Sequence, residues 1–99
     1  MNVTTKQLDN LVALLQSRFN SAFTQKYPNV RVPVISYTMG RKYARIVRTC
    51  SGRYVHGFVD LENGDLLKAA SWKSPARNFA RGNIHNAVDL DALTERSFG

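Results

Sequence analysis

The residues best suited to chemistry in this chain are cations set beside aromatic rings. One group runs through Arg41, Lys42, Tyr43, Arg45, Arg48, Arg53 and Tyr54. A second comprises Lys68, Trp72, Lys73, Arg77 and Arg81. Cations neutralise phosphates and rings stack on unpaired bases, so this interleaving is the pattern used on single-stranded nucleic acid. Nine of the fourteen cations are arginine. Arginine grips phosphate through paired N–H groups and also stacks on bases, two things a lysine ammonium does less well. Ser74 and the N–H groups of a short helix beginning at Pro75 would offer a further seat for phosphate.

The charge is segregated as well as large. The 99 residues carry 14 Lys and Arg against 7 Asp and Glu, a net charge of +7. No acid lies between Asp9 and Asp60, a span holding Arg18, Lys26, Arg31, Arg41, Lys42, Arg45, Arg48 and Arg53. A second acid-free span, from Leu66 to Val88, holds Lys68, Lys73, Arg77 and Arg81. On a domain with a radius of gyration of about 13 Å, that spacing predicts a broad positive potential. The plain alternative is a charge that serves solubility alone.

Other chemistry finds little support. His56 and His85 are the only histidines, and neither has a strong ligand at metal-binding spacing. Cys50 is the only cysteine. It excludes an internal disulfide, fits a reducing cytosol, and reads as an inert thiol more readily than as the nucleophile of a Cys50–His56 pair. Asp60, Glu62 and Asp65 surround Asn63-Gly64. They suit a solvated hairpin tip better than a nuclease metal site. No Walker or GxGxxG pattern is present, so no cofactor is expected, and no run approaches the roughly 20 apolar residues that cross a bilayer.

The elements that must position these residues follow from periodicity. Residues 4–26 place Leu8, Leu11, Val12, Leu15, Phe19 and Ala22–Phe23 on one stripe, which predicts an amphipathic helix capped by Thr4 or Thr5 and stopped by Pro28. Its start reads as a folded helix rather than a signal peptide. Three to four antiparallel strands are expected across 30–69: Val30–Thr38 at a sheet edge because of Pro33, Arg41–Cys50, Arg53–Leu61, and a short strand after the Asn63-Gly64 turn. Alternation puts Tyr54, His56, Phe58 and Asp60 on one face, and the consecutive Ile46–Val47 interrupts the alternation of its strand. Parity assigns Val34, Ile46, Val55 and Val59 to the helix side. Residues 70–85 read as a basic loop and a short helix from Pro75 to Arg81, and 86–99 as a weak helix or loosely ordered tail. The fold class is α+β in one domain: a helix packed on an antiparallel meander, followed by a short C-terminal helix.

The stretch from Tyr54 to His85 carries a distinctive run. Gly64, Asp65, Lys68, Ala70, Ser71, Trp72, Lys73, Pro75, Ala76, Ala80, Arg81, Gly82 and Asn83 spell a strand, a Gly-Asp turn, a strand, ASWK-x-PA and an ARGN ending. This third of the chain resembles a group of small proteins encoded by tailed bacteriophages. The resemblance implies a phage origin and a host cytoplasm, and it implies no catalytic residues.

The expectation is therefore a non-catalytic protein that holds single-stranded or flexible DNA or RNA. Trp72 and Tyr43 or Tyr54 would act as stacking platforms and Arg41, Lys42, Arg45, Arg48, Arg53, Lys73, Arg77 and Arg81 as phosphate contacts; the alternative for Trp72 is a plug in the core. The alternative is a regulator that binds an acidic host protein, using the same basic surface or the edge strand. A small metal-dependent nuclease is a third reading. The edge strand and the tail would both allow a homodimer.

Overall fold

In the computed structural model, which describes residues 3–76 and 80–94, the N-terminal apolar stripe forms helix α1, Thr5–Lys26. Leu8, Leu11, Leu15 and Phe19 recur at three- and four-residue steps and are all buried. Thr4 is the cap. Its hydroxyl accepts the Gln7 backbone N–H, and the Gln7 side chain accepts the Thr4 backbone N–H at 2.9 Å, so two otherwise unpaired helix-end donors are satisfied. The helix ends at Tyr27, whose N–H reaches Phe23 O at 2.8 Å, and Pro28 cannot continue it.

Four antiparallel strands follow in sequence order: β1 (Val34–Met39), β2 (Tyr43–Thr49), β3 (Arg53–Asp60) and β4 (Leu66–Leu67). β1 is a sheet edge but begins at Val34, not Val30. The Gln16 carboxamide donates to Pro33 O at 2.9 Å and accepts the Ile35 N–H at 2.8 Å, which ties the chain to α1 just where the strand starts. Ile35 is buried, whereas Val34 is 57% exposed, so Val34 is not on the helix side.

The sheet has two covered faces, and a bulge decides which residues reach each. Pairing shifts between Ile46 and Val47, so that Ile46 opposes Gly57 while Val47 opposes Val55, and His56 is the extra residue. A bulge moves every residue beyond it to the opposite face. Tyr54, His56, Phe58 and Asp60 therefore do not share a face. His56 meets Phe19 edge-on at 5.5 Å on the helix side, while Phe58 lies opposite Arg45 on the other. Ile46 and Val59 join the helix-packed core as expected; Val55 shares the far face with Val47. Both Ile46 and Val47 are buried because each face of the sheet is covered.

A five-residue loop, residues 61–65, joins β3 to β4. Asp60 N donates to Asp65 O at 2.9 Å, and Gly64 N to Asp60 O at 2.8 Å. Gly64 sits at φ +85°, and a Cβ there would come within 2.8 Å of Ile84 and His85. Both the turn and the close approach thus require glycine.

The final segment folds back along β4. Leu66 exchanges hydrogen bonds with Gly82 and Arg81, and Asn83 donates through Nδ2 to Asn63 O and to Asp65 Oδ1. Pro75 bridges to Ala69 in extended pairing, so no helix starts at Pro75, and Arg77–Phe79, the middle of the helix expected over 75–81, lie outside the described residues. The short C-terminal helix is α2, Ala87–Asp91, capped by Asn86. Ile84 and Leu93 are buried against α1, and Arg18 Nε donates to Leu93 O at 2.9 Å, so the tail is anchored as far as Thr94. Residues 95–99 lie outside the described chain.

Candidate nucleic-acid interface

The turn between β4 and the returning segment presents Trp72 and Lys73. Ala70 N and Ser71 N both donate to Ser74 O, and the Ser71 hydroxyl accepts the N–H groups of Lys73 and Ser74. Ala76 N closes the base of the turn on Lys68 O at 2.7 Å. Alanine, serine and proline in this run build a tight loop, and the two large side chains project from its tip.

Arg45 joins that tip to the sheet. From the middle of β2 its Nε donates to the Trp72 carbonyl at 2.7 Å and its Nη1 to Thr38 Oγ1 at 3.2 Å. The guanidinium lies 4.7 Å from the Trp72 ring centroid and 6.0 Å from that of Phe58. Arg53 approaches the same indole at 5.6 Å. Arg45 and Arg53 belong to rows of the sheet separated by the Val47–Val55 pair. Trp72 is 37% exposed, so it is neither a core plug nor an unattached ring.

Beside this assembly is a cleft of about 250 Å³ lined by Arg41, Lys42, Tyr43, Arg45, Phe58 and Lys73, together with Thr38, Met39 and Gly40. Tyr43 and Phe58 meet edge to face at 6.2 Å, and Lys42 Nζ stands 5.6 Å from the Tyr43 ring. No carboxylate lines the cleft among the described residues. Asp60, opposite Tyr43 in the register, turns its Oδ1 to the N–H groups of Glu62 and Asn63. Among the described residues an ion pair at 4.0 Å links Arg18 of α1 to Asp91, and neither lines the cleft.

Seven of the twelve expected residues are thus gathered: Arg41, Lys42, Tyr43, Arg45, Arg53, Trp72 and Lys73. Arg48 and Tyr54 are not with them. Arg48 pairs with Ile35 in the register and so points to the helix side, where its guanidinium lies 5.6 Å from the Tyr54 ring. Lys68 and Arg81 are exposed along the β4 side, and Arg77 lies outside the described residues. Phe58, a ring that alternation could place on the basic face, lies opposite Arg45, whereas Thr38, its hydrogen-bond partner, carried no signal in the sequence.

Cys50 is exposed rather than buried. Burial, and secondarily the charge of Arg48, lowers the His56 pKa from 6.5 to about 4, so this imidazole is neutral at physiological pH. Among the described residues no group of three His, Cys, Asp or Glu side chains is placed to hold a metal, and no helix is long and apolar enough to cross a membrane.

Residues 1–97 match DUF7717, a family of unknown function, and the chain belongs to that family. No curated protein and no solved structure matches it.

Proposed function

We propose that the protein binds single-stranded or flexible nucleic acid across the Arg45–Trp72–Arg53 assembly and the adjoining cleft. The observation that carries this reading is one indole flanked by two guanidiniums, Arg45 and Arg53, beside three further cations of the cleft, Arg41, Lys42 and Lys73, with no carboxylate in the cleft lining among the described residues. Arg45 spends Nε and Nη1 on Trp72 O and Thr38 Oγ1, which leaves its Nη2 group, with the guanidinium of Arg53, to grip a phosphate. The exposed part of the indole is then available to an unstacked base, for which aromatic stacking contributes roughly 1–3 kcal/mol. Backbone neutralisation supplies the rest. Duplex bases stay stacked and cannot reach the ring, which favours single strands. On this reading the protein is a non-catalytic phage product acting in the host cytoplasm.

Trp72 is the only tryptophan, so its fluorescence reports directly on this site. Titration with oligo(dT), duplex DNA and RNA at two salt concentrations tests the proposal. Five engaged cations predict quenching by single strands with a log–log salt slope of about −3.5. Absence of quenching, or a slope near zero, would overturn it.

One observation favours a second reading, a regulator of an acidic host protein. β1 is an open sheet edge, and beyond the Gln16 clamp its Tyr37–Met39 portion is available for strand addition by a partner. Stoichiometric host protein retained on the immobilised chain after nuclease treatment would support it, and loss of every partner under that treatment supports nucleic acid.

A further inference from the structure

On the helix side of the sheet, away from the basic cleft, the end of α1 and the approach to β1 enclose a cavity of about 330 Å³. Its walls are apolar and largely aromatic: Phe19, Phe23, Tyr27, Val30 and Pro33. Phe23 stacks at a tilt between Phe19, at 6.0 Å, and Tyr27, at 5.4 Å, which makes the wall continuous. Tyr27 and Val30 are 52% and 55% exposed, a cost in water that a bound apolar group would relieve. The polar groups of the lining are of one sign: Lys26, Arg31 and Arg48 contribute to it, and no carboxylate does among the described residues. Arg48 is also one of the cations that the nucleic-acid face leaves out.

An apolar hollow with convergent cations selects a ligand by two features, an apolar body and an anionic head. Its volume, at the lower end of the range for small-molecule sites (roughly 300–1,000 Å³), restricts the body to a short chain or a single ring system. A nucleic-acid strand does not suit it, because about 330 Å³ with a mainly apolar lining leaves no track for a run of phosphates. We infer that this cavity is a binding site for a small amphiphilic anion of the medium-chain carboxylate class, with its tail against Phe19, Phe23 and Tyr27 and its carboxylate held by Arg31 and Arg48.

Cys50 lines the same cavity, is exposed, and is the only cysteine, so its alkylation by neutral iodoacetamide reads occupancy at this position alone. The full chain is titrated with decanoate while the alkylation rate is followed. Saturating decanoate is expected to slow alkylation at least fivefold. Octanoate should bind about tenfold more weakly, since two fewer methylenes are buried. Decyltrimethylammonium, with the same tail and the opposite charge, should give no protection. Arg48→Gln should weaken decanoate about tenfold, and Arg31→Gln, at an exposed position, repeats that test where folding is not at stake. The inference fails if decanoate gives no protection, if the cationic amphiphile protects equally, or if both arginine variants bind decanoate like the parent. Protection by oligo(dT) instead of decanoate would also overturn it, by assigning the cavity to the strand.

Discussion

Arg45 Nε donates to the Trp72 backbone carbonyl at 2.7 Å while the same guanidinium lies 4.7 Å from the Trp72 ring. One side chain in the middle of the sheet thus fixes both the backbone and the ring of a loop 27 residues away. The loop tip owes its position to that arginine more than to burial, because Trp72 keeps over a third of its surface in water.

Arg45→Lys should therefore disturb the site while leaving the fold intact. Lysine retains the charge but cannot donate to Trp72 O and Thr38 Oγ1 from one planar group. Trp72 emission is expected to shift to longer wavelength, and oligo(dT) binding to weaken by about tenfold. Far-ultraviolet circular dichroism should match the parent protein.

Trp72→Ala separates stacking from packing. Loss of a base platform predicts weaker single-strand binding by roughly 1–3 kcal/mol. Anisotropy of a labelled oligonucleotide would measure this, with the denaturation midpoint as control. A midpoint that collapses along with binding would assign the ring to the core.

The Gln16 carboxamide replaces a neighbouring strand at the start of β1, bonding Pro33 O and Ile35 N as a ladder partner would. Gln16→Ala leaves both backbone groups without that partner. The expected cost is about 1–2 kcal/mol in urea denaturation. The bared edge should also raise self-association, visible by sedimentation at increasing concentration.

His56 makes stability depend on pH. Its pKa falls from 6.5 in the unfolded chain to about 4 in the fold, so below pH 6.5 the unfolded state binds a proton that the native state refuses. Stability is complete above pH 6.5 and is lost as pH falls toward 4, by about 2 kcal/mol at pH 5 and about 3 kcal/mol in all. His56→Leu should flatten that dependence between pH 7 and pH 5 in paired urea titrations.

Gly64→Ala should destabilise by at least about 1–2 kcal/mol, since alanine resists φ +85° and its Cβ would meet Ile84 and His85 at 2.8 Å. Thermal melts would show it. The effect should reach the returning segment, because Ile84 N bonds Gly64 O at 2.8 Å.

These last residues explain the distinctive run of the sequence. Asp65, Gly82 and Asn83 hold the returning segment on β4, and Ser71 shapes the Trp72 turn. Much of the Gly-Asp…ASWK…RGN pattern is the clasp that presents Trp72 and Lys73, not a set of ligand contacts.

Local periodicity was enough for α1, for the number and order of the strands and for the hairpin at Asn63-Gly64, because each depends on residues within one or two turns of chain. The interleaving of cations and rings was equally plain in the string. Tertiary structure alone decided which of them meet. The extra residue at His56 reverses side-chain parity along β3, so Phe58 faces Arg45 while Tyr54 turns to the helix side, where alternation along β2 already puts Arg48. The extended pairing of Pro75 with Ala69 displaced the helix start expected at Pro75, because the bond from Ala76 N to Lys68 O satisfies a backbone donor that a first helical turn leaves open. A period of two marks alternation but not the side on which it begins, and one inserted residue exchanges the faces.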